Sequence, residues 1–535
     1  MPSSECYPID VAPGLSRLFR DCCAGEPGVR RFYSSLPHET GWQKRCPAPG
    51  HWNEVVEVLA EQNCSTAAGA ALEALRGGAG TVVTGQQVGV LGGPLFTAFK
   101  AATALARARK TTQAGNPHVA VFWLATEDHD FAEINHVTFP SRKELRKLTY
   151  AKAPAVPVPV GGVVLDETIE PLIHQARELL GASDAMDALA AAYKPGRTFG
   201  QAFGEFYAKA FAAQGLLVLD AAGREVHRLG APVLRAAIER ADELHAALLE
   251  RNKALEAAGY HAQVAVAPNS SLLFLLDERT GARLALKRIP ASAAEPNDLW
   301  QAGRERFTTA DLLGVLAAEP ERISPAALLR PVFQDYLLDT SLIVGGPAEM
   351  AYFAQSAVLY ERILGRVTAA EPRLSATLIE PAIGEMLRKH ELGLDRVFKE
   401  TADSLAQLLA ARAMPVEAKR RLAAAGTALD VELGPLLEYM KAMDAGLGRS
   451  AETAASKMRY QMNRLRRLAA NFEMQREGSL RRHAEAIERV LNPGGVLQER
   501  VQGAAFYFAH YGFALAETLT ELAADSCPGH KAVWL

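Results

Sequence analysis

The chain has 535 residues, more than one hydrophobic core ordinarily holds, and 49% of them are apolar, so we expect more than one well-packed structural unit. Its formal net charge is −3 with both signs interspersed, which argues against a nucleic-acid-binding protein. The sequence shows neither an apolar run long enough to span a bilayer nor a secretory signal at its start, so we expect a cytoplasmic protein without a membrane partner.

The first part of the chain alternates short apolar runs with amphipathic stretches. This alternation indicates βαβ units, and hence an α/β fold with a parallel sheet. The predicted strands are 80–84, 119–125, 216–220 and 341–344, and the predicted helices are 96–109, 202–214 and 348–364. Between 263 and 288 the apolar runs are separated by turn residues, which predicts an antiparallel hairpin inserted into a core that covers 1–387.

The composition becomes helical from 388 to 492, where a break at Met414-Pro415 predicts a helical hairpin. One segment has the alternating four- and three-residue spacing of a coiled-coil seam, formed by Ala451, Ala455, Met458, Met462, Leu465, Ala469 and Phe472. Two interpretations fit this seam: a coiled coil that makes the protein a homodimer, or helices that pack within one chain. We expect the remaining tail, 493–535, to pack back on the core.

Cysteines are few for a chain of this length, and none stands in a C-x-x-C pair. We therefore expect reduced thiols, as in a cytosolic protein, and no structural metal site. The six are Cys6, Cys22, Cys23, Cys46, Cys64 and Cys527.

The first motif with chemical potential is TGQQVGVLGGP, which follows the strand at 80–84 and precedes a helix. Glycine backbones and free amides at a helix start attract anions such as phosphate, and a lysine lies two turns into the helix. The candidate binding residues are Gly85, Gln86, Gln87, Gly92, Gly93 and Lys100. The alternative is a glycine-rich turn that only connects strand to helix.

The second motif is VAVFWLATEDHDFAEINHV, an apolar strand that ends in acids, imidazoles and an amide. Ligands of open α/β sheets bind outside the carboxyl ends of the strands, so we expect a site there. Asp128, His129 and His136 are the candidates for proton transfer, and Asp130 and Asn135 are candidate binding residues. The alternative is that these acids cap the following helix, with Asp130 as N-cap and Glu133 at its third position, and both roles can hold together.

A third motif repeats the plan of strand, glycines and helix at 341–352, downstream of LLRPVFQDYLLD. Its arginine can hold a carboxylate or phosphate in a bidentate fork. Its glutamate can bind a ligand amine, or simply favour the helix dipole. The candidate binding residues are Arg330, Gln334, Asp335, Gly345, Gly346 and Glu349.

Six blocks, in the same order along the chain from about Tyr7 to Leu535, resemble the bacillithiol biosynthesis cysteine-adding enzyme family. They are TGQQVGVLGGPLFTAFK, FWLATEDHDFAEINHV, AGYHAQV, LLRPVFQDYLLDT with VGGPAEMAYFAQ, RLSATLIEP and LNPGGVLQER. The resemblance implies a Rossmann-like core with connecting insertions and a C-terminal coiled coil that forms a dimer. It also implies a ligase that joins cysteine to glucosaminyl malate through an amide bond.

The family's core is similar to that of class I aminoacyl-tRNA synthetases, which implies ATP as a co-substrate that activates the cysteine carboxylate. This sequence has neither the H-x-G-H nor the K-M-S-K-S motif of those enzymes, so activation by ATP follows from the fold and the reaction alone. Within the family Thr126 replaces a glycine, which would narrow the approach of a ligand to the backbone. No metal ligands are predicted, and a metal requirement stays open.

The resemblance assigns nucleotide or substrate to Gln86, Gln87 and the Gly92-Gly93 turn, and the cysteine amine to Asp128 and His129. Arg330 and Glu349 would line the opposite wall. The alternative function is a non-catalytic, nucleotide-binding dimeric scaffold that supports a separate thiol-synthesising enzyme.

Overall fold

The computed structural model describes residues 3–37, 39–43, 50–63, 66–289, 299–525 and 527–535. The chain forms two compact units, the first containing 1–377 and 499–531 and the second containing 378–498 and 532–535. The boundary at 377 lies ten residues before the one expected from composition. Residues 499–531, which belong to the predicted tail, are part of the first unit.

The strands of the described ranges are short, as is usual in α/β proteins. They are β1 (Ser3–Tyr7), β2 (Gly80–Gln86), β3 (His118–Leu124), β4 (His136–Pro140), β5 (Leu145–Thr149), β6 (Leu217–Asp220), β7 (Ser270–Leu276), β8 (Arg283–Ile289), β9 (Leu299–Ala302), β10 (Glu305–Thr308), β11 (Ile323–Pro325), β12 (Thr340–Gly345), β13 (Ala369–Pro372), β14 (Ala376–Ile379) and β15 (His530–Trp534).

The helices include long ones that alternate with the strands. They are α1 (Arg17–Ala24), α2 (Trp52–Gln62), α3 (Thr66–Arg76), α4 (Leu95–Gln113), α5 (Phe131–Ile134), α6 (Ile169–Leu180), α7 (Asp184–Ala192), α8 (Phe199–Ala210), α9 (Arg224–Glu239), α10 (Ala241–Ala257), α11 (Thr309–Ala318), α12 (Arg330–Leu338), α13 (Pro347–Leu364), α14 (Pro381–Lys389), α15 (Leu394–Val397), α16 (Ala402–Ala413), α17 (Val416–Met443), α18 (Ala445–Arg476), α19 (Ser479–Leu491), α20 (Gln498–Val501), α21 (Ala504–Tyr511) and α22 (Ala514–Ala524).

A five-stranded parallel sheet forms the centre of the first unit, in the order β13-β12-β2-β3-β6. The predicted parallel α/β fold is therefore confirmed. Counted by their position along the chain, the strands have the order 5-4-1-2-3, which is the Rossmann arrangement read from its other edge. The direction of winding reverses between β2 and β12, so the crevice outside their carboxyl ends is where such a fold binds ligands.

The apolar run that predicted β3 is buried along its whole length, because helices cover both faces of the sheet. Two buried hydroxyls of β2 are satisfied locally: the Thr81 hydroxyl donates to the Leu338 carbonyl at 2.9 Å, and the Thr84 hydroxyl donates to the Val344 carbonyl at 2.9 Å. These bonds remove the cost of burying a hydroxyl between strands.

The insertion expected near 263–288 is present as the antiparallel pair β7–β8. It belongs to a larger antiparallel sheet with the order β10-β9-β8-β7-β11, of which the sequence predicted only two strands. A further hairpin, β4–β5, directly follows the second motif and was not predicted.

In the second unit, α17 and α18 are two long helices joined at Asp444, whose side chain caps α18 by accepting the amides of Gly446 and Leu447. The break at Met414-Pro415 is confirmed, since α16 ends at Ala413 and α17 begins at Val416. The side chains of the predicted seam differ in how much of their surface is exposed to solvent. Ala455 is buried, whereas Met458, Leu465 and Phe472 are 50%, 52% and 62% exposed.

The expectation of reduced thiols is wrong for two cysteines, because Cys6 and Cys527 form a disulfide. Sequence alone could not bring them together, since 521 residues separate them, but the fold sets their Cα atoms 5.9 Å apart, within the range that a disulfide spans. Cys22 and Cys23 are free and buried. Cys46 and Cys64 lie outside the described residues.

Candidate active site

The first and third motifs meet at the carboxyl ends of β2 and β12, where the winding of the sheet reverses. Lys100 reaches back from α4, and its Nζ donates to the Gly85 carbonyl at 2.8 Å and to Gln86 Oε1 at 2.9 Å. The same ammonium forms an ion pair with Glu349, at the start of α13. Glu349 Oε2 also accepts the Gly346 amide at 2.8 Å. Backbone and side-chain groups from two strand ends and two helices thus form one hydrogen-bonded group.

Lys100 is only 4% exposed, which makes its charge costly. Burial lowers the pKa of the Lys100 ammonium from 10.5 to about 8, against the raising effect of the Glu349 carboxylate. The ammonium is therefore charged at neutral pH but close to its titration range.

Asp128, just beyond β3, forms the second half of the site. Its carboxylate accepts a hydrogen bond from the Gln87 amide and another from the His129 backbone amide at 2.7 Å. Burial opposes ionisation, but these bonds and the guanidinium groups of Arg283 and Arg330 hold the pKa of Asp128 below its usual value. Asp128 is thus a fixed anion.

Arg330 begins α12 and donates to the Tyr352 hydroxyl at 2.5 Å. Burial acts to lower the pKa of Arg330, yet Tyr352, Glu349 and Asp128 raise it overall. On the same helix, the Gln334 side chain is 3% exposed, and its amide nitrogen has no hydrogen-bond partner among the described residues.

Arg283 is a site residue that sequence reasoning missed. It extends from β8 of the inserted sheet, and its Nη1 lies 3.3 Å from His129 Nδ1. A guanidinium can only donate, so a hydrogen bond here requires the His129 tautomer whose Nδ1 accepts and whose ring proton is on Nε2. The same Nδ1 lies 3.7 Å from Asp128 Oδ1. Bonds to Ser324 Oγ at 3.0 Å and to the Pro325 carbonyl at 2.9 Å fix the rest of the guanidinium. No pattern around Arg283 in the sequence marks it.

Glu127 and His227 form a buried ion pair behind Asp128, with Oε1 and Nε2 2.7 Å apart. Burial would lower the pKa of His227, but the Glu127 carboxylate raises it overall. The His227 Nδ1 lies 2.9 Å from the Ile323 carbonyl. Glu127 stands inside the second motif, so the motif itself could have identified this pair.

The Gly92-Gly93 turn does not present free amides to a ligand. The Gly92 amide donates to the Tyr193 hydroxyl at 3.0 Å, and the Gly93 amide donates to the Val90 carbonyl at 3.1 Å. The Tyr207 hydroxyl donates to the Gly92 carbonyl at 2.8 Å. Both glycines have positive φ, +82° and +63°, and are buried under α8. The interpretation as a connecting turn therefore describes them better than that of an anion cradle.

Three further candidates lie away from the group around Lys100 and Asp128, and a fourth, Asp130, reaches it through its backbone amide, 3.4 Å from Asp128 Oδ1. Asp130 caps α5 by accepting the Glu133 amide, so the capping alternative is confirmed. Asn135 ends that helix and its Oδ1 lies 3.2 Å from His136 Nδ1, in the β4–β5 hairpin. Asp335 accepts a hydrogen bond from Thr368 and pairs with Arg366 at 3.0 Å, near the amino end of β13. It therefore lies at the amino ends of the strands, opposite to the crevice.

Thr126 is fully buried, and its hydroxyl donates to the Asp220 carboxylate. A Cβ on Gly161 would fall 2.2 Å from the Thr126 Cβ, so the threonine packs against a backbone that has no room for a side chain. Thr126 therefore packs against Gly161 and bonds to Asp220 of β6, whereas from the sequence we expect it to narrow the approach of a ligand to the backbone.

Within the described ranges, the structure contains no group of three or more histidine, cysteine, aspartate or glutamate side chains suited to a metal ion. In the same ranges, no helix combines the length and the apolar character needed to cross a bilayer.

Nearly the whole chain matches one family. Residues 4–374 match bacillithiol biosynthesis BshC, N-terminal Rossmann-like domain, and residues 376–534 match its C-terminal coiled-coil domain. Among relatives named "Putative cysteine ligase BshC", that of Koribacter versatilis is 41% identical over 99% of both chains. Those of Solibacter usitatus and Salinibacter ruber are 33% identical over 97% and 30% identical over 96% of both chains.

Proposed function

Because the chain belongs to the bacillithiol biosynthesis BshC family, we propose that it is a ligase that joins L-cysteine to glucosaminyl malate through an amide bond, with ATP as co-substrate. The observation that carries the proposal is the convergence of opposite charges at one crevice. Asp128 and Glu349 supply two carboxylates, and Arg330 and Lys100 supply two cations.

Such a crevice matches a zwitterionic amino acid. Asp128 is held ionised, so it can bind the cysteine ammonium, and Arg330 can hold a carboxylate in its fork. The imidazole of His129 presents Nε2–H as a donor, because Arg283 occupies Nδ1. Lys100 positions this wall by fixing the Gly85 carbonyl and the Gln86 amide.

Amide formation from a free carboxylate is uphill in water, which is why an activating nucleotide is required. Of the residues present, Arg330 suits its phosphates. The start of α13, directly after β12, is already occupied, because the Glu349 carboxylate accepts the Gly346 amide and Pro347 has no amide hydrogen. ATP supplies the activation of the cysteine carboxyl group. The glucosamine nitrogen then attacks the activated carbonyl carbon, the C–N bond forms, the bond to the activating group breaks, and the nitrogen loses a proton.

The homodimer is proposed on the exposed face of α18. Met458, Leu465 and Phe472 recur every seven residues there and are each at least half exposed. A stripe with this spacing is typical of a helix that packs against a partner helix. We expect Phe472→Asp to convert the protein to a monomer, measured by light scattering after size-exclusion chromatography. Val416→Asp, at an exposed helix start, is the matched control.

The function is tested with the purified full-length protein, cysteine, ATP, Mg²⁺ and glucosaminyl malate. We expect a new thiol of the mass of the amide product, together with consumption of ATP. Absence of both, with Mg²⁺, Mn²⁺ or Zn²⁺ supplied, would overturn the ligase and favour the scaffold. The scaffold also predicts that Asp128→Asn leaves thiol production in cells intact while Phe472→Asp abolishes it.

A further inference from the structure

The disulfide between Cys6 and Cys527 joins the start of the chain to a segment near its end. Cys6 lies on β1, where its side chain is exposed, and Cys527 is half-buried. A disulfide that solvent thiols can reach is more readily exchanged than a buried one. Its accessible sulfur is that of Cys6, because the Cys527 side is partly covered.

The free thiols of the described residues, those of Cys22 and Cys23, are protected from reaction. Cys22 and Cys23 are buried in α1, and burial raises the pKa of the Cys22 thiol to about 12. Burial raises the pKa of the Cys23 thiol further still. Since the thiolate is the reactive form, both are inert at neutral pH. Among the described residues, the Cys6–Cys527 bridge is the place where an added thiol can form a mixed disulfide, because the attack needs an existing S–S bond.

The segment that follows Cys527 leads to the candidate active site by direct contacts. Gly529 lies so close to β1 that a Cβ on it would fall 1.8 Å from the Tyr7 carbonyl oxygen. The next two residues hold Ser375: His530 Nδ1 lies 2.8 Å from its hydroxyl, and the Lys531 amide donates to its carbonyl at 2.9 Å.

Two residues before Ser375, Arg373 reaches the crevice. Its amide donates to the Gly345 carbonyl at 2.9 Å, and its Nε lies 3.5 Å from where a Cβ on Gly346 would be. Its guanidinium is buried against Glu499 at 2.6 Å. The bridge thus holds the segment that supports one wall of the crevice.

We propose that the Cys6–Cys527 disulfide is a modification site at which a low-molecular-weight thiol becomes attached to Cys6 and releases the 527–531 segment from β1. The thiolate attacks Cys6 Sγ, a new S–S bond forms there, the old S–S bond breaks, and Cys527 leaves as the thiolate. The proposal rests on the proposed function, which brings a thiol substrate to this chain and makes a thiol product. Release weakens the support of Arg373, so accumulated thiol slows the ligase.

The test uses the full chain and L-cysteine as the probe. Peptide mapping of the purified protein should show the bridge, and millimolar L-cysteine should give a cysteinyl adduct on Cys6 and a free Cys527. Hydrogen exchange of 373–377 and 528–531 should increase at the same time. Cys6→Ser should show this faster exchange without any thiol, and Cys22→Ser should respond as the unmodified chain does.

After addition of L-cysteine, either of two results would overturn the proposal: an adduct on Cys527 with Cys6 left free, or opening of the bridge without faster exchange at 373–377. Finding Cys6 and Cys527 reduced in protein purified without reductant would do so as well. These readouts do not require catalysis, so they stand apart from failure of the ligase assay. When the ligase is active, its rate should fall in step with the adduct.

Discussion

The Lys100–Glu349 pair gives the sharpest prediction, because its energetics can be worked out from burial and charge. In Glu349→Gln, the amide oxygen can still accept the Gly346 amide, but the carboxylate that stabilises the Lys100 ammonium is gone. The pKa of Lys100, now lowered by burial to about 8, must fall further. We therefore expect Lys100 to be neutral at pH 7 in the native state of this variant.

The cost in stability depends on pH with a defined sign. At pH 6 and 7 the native wild-type protein keeps most of its lysine protonated, because the pKa is about 8, and both unfolded chains keep it protonated up to pH 8. We expect the native variant to have lost this proton. The unfolded variant therefore binds more protons than its native state, and its stability rises with pH by about 1.4 kcal/mol per unit. Relative to the wild type, we expect a loss of about 3 kcal/mol at pH 6 that shrinks to near zero at pH 8.

The assay is urea denaturation at pH 6, 7 and 8, followed by near-ultraviolet circular dichroism. The double variant Lys100→Met/Glu349→Gln contains no buried ammonium, so the extra pH dependence should vanish. Glu517→Gln is the control, since the Arg109–Glu517 pair is 39% and 41% exposed and surface pairs contribute at most about 1 kcal/mol. A pH-independent loss in Glu349→Gln, or a slope that persists in the double variant, would show that the Glu349 carboxylate does not keep the Lys100 ammonium charged.

Three further outcomes are expected. Asp128→Asn keeps an acceptor for Gln87 but loses the charge, so the KM for cysteine should rise about 10- to 100-fold, as steady-state kinetics will measure, and an unchanged KM would remove Asp128 from the amine site. Burial raises the pKa of Asp335 to about 6, so between pH 4 and 6 the native protein keeps a proton on this carboxyl that the unfolded chain has lost. The free energy of unfolding should therefore fall by about 3 kcal/mol as pH rises from 4 to 6, and in Asp335→Asn this slope should be absent. Burial, followed by the charge of His483, lowers the pKa of His390, whose Nε2 lies 2.9 Å from His483 Nδ1. In His390→Gln the free energy of unfolding should therefore fall less steeply as pH drops below 6. An unchanged fall below pH 6 would contradict the repulsion between the two imidazoles.

The parallel sheet could be predicted from the sequence because its strands are buried on both faces and read as apolar runs. The motifs at the ends of β2, β3 and β12 were recognisable for the same reason, as each run stops abruptly at polar residues. Arg283 could not be found in this way. It is 154 residues from His129, and only the packing of the inserted sheet brings the two together.

Other candidates failed for local reasons that a sequence does not reveal. The amides of Gly92 and Gly93 are consumed by Tyr193 and by the turn itself, which depends on how α7 and α8 approach. Asp335 follows Arg330 by five residues on α12, and a helix rises about 1.5 Å per residue, so the two ends of this short stretch lie roughly 7.5 Å apart along the axis. Gln334, one residue earlier, still reaches the crevice, with Oε1 3.8 Å from where a Cβ on Gly85 would be. The side of the helix that Asp335 occupies therefore adds to the rise and brings it to Arg366 and Thr368.

The position of β2 in the strand order explains how one crevice can combine the three motifs. β2 lies between β3 and β12, so its end is adjacent to both other motif-bearing strands. β2 ends at Gln86, whose side-chain oxygen accepts from Lys100. The next residue, Gln87, lies beyond the strand and donates to Asp128, which follows β3. The paired glutamines thereby join a lysine–glutamate half to an aspartate–histidine half, which a glycine-rich phosphate loop at this position would not do.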